Sequence, residues 1–114
     1  MTTLDRLRED MLTARRAGNT TEVSMIRTLI ASIENSQAVE AEPTIEPKKG
    51  LGHDIPRREL TSDDVTAILL RERTEVVEAI DDYRKHGLTE QILDLEIRLS
   101  VVERYLSTEP PRIS

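Results

Sequence analysis

The stretch Ala14-Arg-Arg-Ala-Gly-Asn-Thr-Thr-Glu22 contains the end of one predicted helix and the start of the next. Its two arginines stand where the carboxyl end of a helix favours cations, and Gly18 can adopt the left-handed conformation that ends a helix. Asn19 followed by Glu22 has the spacing of a capping-box variant. Because the connection between the two helices is so short, it predicts antiparallel neighbours.

Apolar residues at helical spacing support both of these helices. The first is predicted to begin after a threonine cap at Thr2 or Thr3, and the second to fade near Glu40, before Pro43. Their predicted apolar stripes are Leu4, Leu7, Met11 and Ala14 in the first helix, and Val23, Ile26, Ile30 and Ile33 in the second.

The second half of the chain shows the same layout. Thr61 is predicted to cap a third helix, Gly87 to end it, and Thr89 to cap a fourth. Their stripes are Val65, Ile68, Leu69, Val76, Ile80 and Tyr83, then Ile92, Leu95, Leu99, Val102 and Leu106. The predicted fold class is all-α, with two antiparallel helical hairpins packed as one four-helix domain. The predicted ranges are 1–41 for hairpin 1, 42–60 for a long, mobile, irregular loop, 61–106 for hairpin 2, and 107–114 for a disordered tail.

Composition narrows the classes of function. The 114 residues include no Cys, Trp or Phe and only two Tyr, so the core must be aliphatic. Lack of cysteine excludes disulfides and fits a reducing compartment. Neither an export signal nor an apolar run of about 20 residues is present, so we expect a cytoplasmic protein that does not bind membranes.

The net charge of −6 is unevenly distributed. Residues 61–114 carry seven Lys/Arg and twelve Asp/Glu, so this half should repel a polyanion, and a nucleic-acid contact is expected on the first half. Interleaved acids make ordinary solvated surface the alternative interpretation. The candidate contact residues for tRNA or a partner are Arg6, Arg8, Arg15, Arg16, Lys48, Lys49, Arg57 and Arg58.

Groups that perform chemistry are sparse. His53 lies in the predicted loop and His86 at the end of the third helix, so neither has a second imidazole at ligand spacing. Most carboxylates lie outside the apolar stripes, on the predicted outer faces of the helices. The sequence indicates no pair of a nucleophile and a general base. We therefore predict no catalytic residue, no cofactor and no metal site, unless folding brings two distant carboxylates together.

Arg27 and Glu72 form a candidate structural ion pair. Arg27 adjoins Ile26, and Glu72 interrupts the apolar stripe of the third helix. If the two face each other, a partly buried pair would fix how the hairpins dock. In the alternative, both side chains bend to the rim, where such pairs contribute little.

The order of several motifs resembles the GatB/YqeY family, over the N-terminal helical part of that family. The motifs are Leu-Asp-Arg-Leu-Arg-Glu-Asp from Leu4, Ala17-Gly-Asn19, Met25-Ile-Arg-Thr-Leu-Ile30, Leu60-Thr-Ser-Asp-Asp-Val65, Arg71-Glu-Arg73, Glu78-Ala-Ile80, Tyr83, and Val101-Val-Glu-Arg-Tyr-Leu106. Ser107 departs from the pattern, because a proline usually follows the Tyr-Leu pair.

The resemblance implies a module related to the tail of the B subunit of the amidotransferase that acts on Glu-tRNA(Gln) or Asp-tRNA(Asn). There the tail contacts tRNA, while amide hydrolysis and ATP chemistry reside elsewhere. The family association is with carbon–nitrogen ligase activity that uses glutamine as amide donor. We therefore expect a non-catalytic module that contacts tRNA weakly or binds a protein. The alternative is an assembly module without a nucleic-acid role, such as a homodimer.

Overall fold

The computed structural model describes residues 2–40 and 60–106, which form four α-helices. They are α1 (Thr3–Arg16), α2 (Thr20–Glu40), α3 (Ser62–Lys85) and α4 (Thr89–Leu106). Helices α1 and α2 pack together as hairpin 1, and α3 and α4 pack together as hairpin 2. Helix α2 joins the hairpins by packing on α4 and, less extensively, on α3. The predicted all-α fold of two hairpins is confirmed. The predicted tail and the predicted loop, apart from Leu60, lie outside the described residues.

One threonine caps the first helix of each hairpin, as predicted: Thr2 caps α1 and Thr61 caps α3. Thr2 Oγ1 accepts a hydrogen bond from the Asp5 amide (3.1 Å), and an Asp5 carboxylate oxygen accepts one from the Thr2 amide (3.0 Å). Thr61 and Asp64 form the same reciprocal pair at α3. Bonds from Thr2 lower the pKa of Asp5, because they favour its charged form. Local sequence thus fixes where both helices begin.

Both predicted glycine stops have left-handed backbone, at Gly18 (φ +77°) and Gly87 (φ +66°). After α1, the Asn19 amide bonds to the Ala14 carbonyl (3.0 Å) and the Gly18 amide to the Arg15 carbonyl (3.1 Å). This pair of bonds is the Schellman motif, which satisfies the last carbonyls of a helix. The same two bonds end α3 at Gly87.

Two details of the predicted helix starts are wrong. Asn19 and Glu22 meet through their side chains (Nδ2···Oε1, 3.4 Å) instead of the reciprocal side-chain-to-backbone bonds of a capping box. Thr89 is the first residue of α4 and not its cap, because the Leu88 carbonyl already accepts the first helical bond, from Ile92 (3.1 Å). The Schellman turn places Leu88 directly at the helix start, which leaves no room for an additional capping residue.

The core is aliphatic apart from Tyr105, and α2 crosses its middle. This helix buries Met25, Ile26, Leu29 and Ile33 at 2% exposure or less. Leu60, predicted to lie in the loop, packs against this core. The other buried members of the cluster are Leu7, Ile68, Leu69, Val76, Ile80, Val101, Val102 and Tyr105. No helix in the described ranges is both long and apolar enough to span a membrane.

Candidate interaction surface

A chain of polar side chains joins α4 to the start of α2. Thr21 Oγ1 donates to a carboxylate oxygen of Asp94 (2.8 Å), and Arg98 donates to the other oxygen (2.9 Å). A second nitrogen of Arg98 reaches Ser24 Oγ (3.3 Å). The hydrogen bond from Arg98, followed by that from Thr21, lowers the pKa of Asp94. These bonds set the position of α2 along α4.

Tyr105 connects the last turn of α4 to α1. The residue is 3% exposed, and its hydroxyl donates a hydrogen bond to the carboxylate of Asp10. The guanidinium carbons of Arg6 and Arg104 lie 4.9 Å and 5.9 Å from the ring centre, within the range of cation–π attraction. Burial, with the Asp10 contact next in importance, raises the pKa of Tyr105. Tyr105 therefore joins the two hairpins through both its ring and its hydroxyl.

Three further ion pairs connect different helices at partly exposed positions. Such pairs each contribute roughly 0–1 kcal/mol to stability, so they support the packing without determining it. Pairing with Glu22 raises the pKa of Arg104. The three pairs are Arg8–Glu34 (2.7 Å), Arg73–Glu103 (2.9 Å) and Arg104–Glu22 (2.9 Å).

The predicted ion pair between Arg27 and Glu72 is wrong. Glu72 is buried, as expected, but Ser32 Oγ is its partner and donates to Glu72 Oε2 at 2.7 Å. Arg27 is exposed. One residue after Ile26, its side chain is rotated about 100° around the helix and away from the core. The contact between α2 and α3 is thus a hydroxyl–carboxyl hydrogen bond.

The structure places four residues of the predicted cationic set on α1, namely Arg6, Arg8, Arg15 and Arg16. Arg6 packs over Tyr105, and Arg8 pairs with Glu34. Arg15 and Arg16 are exposed in the last turn of α1. The other four predicted contact residues, Lys48, Lys49, Arg57 and Arg58, lie outside the described residues.

His86 stands where the sequence placed it, as the residue that caps the carboxyl end of α3. Its Nδ1 lies 3.0 Å from the Asp82 carbonyl oxygen, so the ring is held by its own helix. His53 lies outside the described residues. Within residues 2–40 and 60–106, no three or more His, Asp or Glu side chains are grouped so as to hold a metal ion.

Large apolar side chains on the outside of hairpin 2 are the feature that sequence reasoning missed. Leu70 and Val77 lie seven residues apart on α3, and Leu93 and Ile97 four apart on α4, so each pair follows one side of its helix. Both pairs are turned away from the core. Their exposed fractions are 48%, 38%, 57% and 48%, and we call these four residues the outer apolar surface. All four lie outside the predicted core stripes, and this position was the sequence signal that they would be exposed.

A shallow groove between the two helices of hairpin 2 meets this surface at Leu70. Its lining includes Leu70, together with Arg73 and Glu103, whose ion pair bridges α3 and α4. Arg104 and Leu106 complete the lining at the end of α4. An apolar edge beside a charged bridge suits contact with a macromolecule better than enclosure of a small molecule.

No protein-family model matches the sequence, and no curated protein has a significantly similar sequence.

Replacing Ser32 by alanine should destabilise the protein more than removing Arg27. Ser32→Ala leaves a buried carboxyl oxygen of Glu72 without its donor, which costs about 1–3 kcal/mol. Arg27→Met, at an exposed position, should change the free energy of unfolding by less than about 0.5 kcal/mol. Urea denaturation of both variants measures the difference. A larger loss of unfolding free energy for Arg27→Met than for Ser32→Ala would contradict this assignment and support the ion pair.

Alkaline pH should weaken the fold through Tyr105. Its pKa in the folded protein is raised above 10.0, so the stability from its protonated form is complete below about pH 10 and falls as the pH rises further. Tyr105→Phe should reduce this alkaline loss, whereas Tyr83→Phe, the matched control, should retain it. Urea denaturation between about pH 9 and 11 measures the slopes. Equal slopes for the two variants would contradict the assignment.

Proposed function

We propose that this chain is a non-catalytic contact module of GatB/YqeY type that binds a protein partner. The observation that carries the proposal is the outer apolar surface, where four large apolar side chains are exposed on the two helices of hairpin 2. Large exposed apolar areas on soluble proteins commonly mark interaction sites. Polar groups at the contact between α2 and α4 bond with one another, as Asp94 does with Thr21 and Arg98, and these contacts serve the fold.

The link to tRNA-dependent amidation rests on the motif resemblance. Two motif residues hold the fold together, because Glu72 accepts from Ser32 and Tyr105 joins α4 to Asp10 of α1. This supports interpreting the motifs as the signature of a scaffold. In that interpretation, carbon–nitrogen ligase chemistry with glutamine as amide donor belongs to the partner assembly, which is cytoplasmic. This chain supplies a binding surface and needs no cofactor of its own.

Contact with tRNA is the second candidate, supported by Arg15 and Arg16. Both are exposed at the end of α1, on the hairpin that carries the smaller share of negative charge. Two cations can neutralise only a few phosphates, so this contact would be weak and strongly dependent on salt.

Titration of unfractionated tRNA with the full chain tests the second candidate. Binding that requires Arg15 and Arg16 should disappear in the Arg15→Glu/Arg16→Glu variant and weaken steeply between about 50 and 200 mM salt. The matched control is Arg84→Glu/Lys85→Glu, since these two exposed cations also occupy the last turn of a helix. Equal loss in both variants would show nonspecific attraction, and no binding at low salt would exclude the tRNA contact.

Protein contact is tested in two steps. The full chain is first used to capture a binding protein, and the complex is then rebuilt from the two purified proteins. We expect a stoichiometric complex that survives treatment with ribonuclease. Failure to rebuild a complex, or its loss on ribonuclease treatment, would contradict the proposal of direct protein contact.

A further inference from the structure

We infer that the outer apolar surface of hairpin 2 binds a basic amphipathic helix of a protein partner. This inference rests on the proposed function and specifies the chemistry of the partner. The surface is defined by Leu70 and Val77 on α3 and by Leu93 and Ile97 on α4.

The spacing of the apolar side chains favours a helical ligand. Leu70 and Val77 are two turns apart, and Leu93 and Ile97 are one turn apart, so two short apolar rows run along neighbouring helices. The Arg73–Glu103 ion pair links those helices across the groove (2.9 Å). A third helix laid along such a pair can bury its own apolar row between them, as in helix-in-groove recognition.

Charge on hairpin 2 indicates the sign of the partner. Residues 60–106 contain six Lys/Arg and eleven Asp/Glu, a net charge of −5. Three of the six cations are paired with acids inside the fold, namely Arg73, Arg98 and Arg104. Outside these pairs, hairpin 2 has three exposed cations (Arg71, Arg84 and Lys85) and nine Asp/Glu, so acidic groups still outnumber basic ones.

Acidic side chains lie directly beside the apolar rows. Glu78 follows Val77, Asp81 lies one turn further along α3, and Glu96 lies between Leu93 and Ile97 on α4. All three are exposed. None takes part in the ion pairs formed among the described residues. An apolar row bordered by carboxylates is complementary to a helix with Leu-type residues on one face and Lys or Arg at the margins.

The same charges disfavour a second copy of this chain as the occupant. A twofold contact through this surface would bring two hairpins of net charge −5 together, with Glu78, Asp81 and Glu96 at the rim of both. Like charges placed opposite each other oppose association. A basic helix gains from both the apolar and the charged parts of the surface.

Binding of a designed peptide tests the inference with the full chain. The probe is a fluorescent peptide of Leu and Lys with Leu at positions i, i+3, i+4 and i+7. Controls are a scrambled peptide of the same composition and a Leu/Glu peptide of the same spacing. Fluorescence anisotropy should show binding of the Leu/Lys helix that is about tenfold or more tighter than binding of either control.

Variants of the protein locate the contact. Leu93→Ser/Ile97→Ser should weaken binding of the Leu/Lys helix by about tenfold or more, because two apolar contacts are lost. The matched control is Leu12→Ser on α1, which is 47% exposed against 48% for Ile97 and should bind like the wild type. Circular dichroism confirms that each variant is folded.

Several results would overturn the inference. If the scrambled peptide binds as tightly as the Leu/Lys helix, net charge alone explains the binding. If Leu12→Ser weakens binding as much as Leu93→Ser/Ile97→Ser, the contact is not specific to hairpin 2. A dimer in sedimentation that Leu93→Ser/Ile97→Ser dissociates would identify a second copy as the occupant. A rebuilt complex that these substitutions leave intact would overturn this site while leaving the proposed protein contact in place.

Discussion

The apolar face of α2 must be covered from two sides, and the rest of the structure depends on this requirement. Met25, Ile26, Leu29 and Ile33 are almost completely buried, with α1 against the helix in one hairpin and α4 and α3 against it in the other. An isolated helical hairpin would leave part of this face in water. Because helices of this length gain most of their stability from packing, each hairpin depends on the other.

Polar bonds specify how the hairpins dock, while aliphatic burial supplies most of the stability. Asp94 and Arg98 position α2 along α4, and Tyr105 holds α1 to the end of α4. Tyr105 is buried, so its hydroxyl would lose its hydrogen-bond partner without gaining water if the helices slid. These polar groups thus serve the packing of the helices, while the outer apolar surface is exposed.

Sequence predicts the parts of this structure that are local. Gly18, Gly87, Thr2 and Thr61 mark helix ends through bonds to residues within a few positions, so their roles follow from spacing. The partner of Glu72 could not be predicted, because burial is visible in a helical pattern but the facing residue on another helix is not. Arg27 was misplaced because its neighbour Ile26 is buried, although adjacent residues lie on different sides of a helix. The outer apolar surface was predictable, since its residues fall outside the core stripes.

Interdependence of the two hairpins is measured most directly by native-state hydrogen exchange in Leu29→Ala. Leu29 is fully buried on α2, and its truncation should cost about 2–5 kcal/mol. If α2 holds the hairpins in one cooperative unit, the opening free energies of the Val101 and Val102 amides on α4 should fall by the same amount as those on α2. Unchanged protection on α4, with loss confined to α1 and α2, would contradict this account.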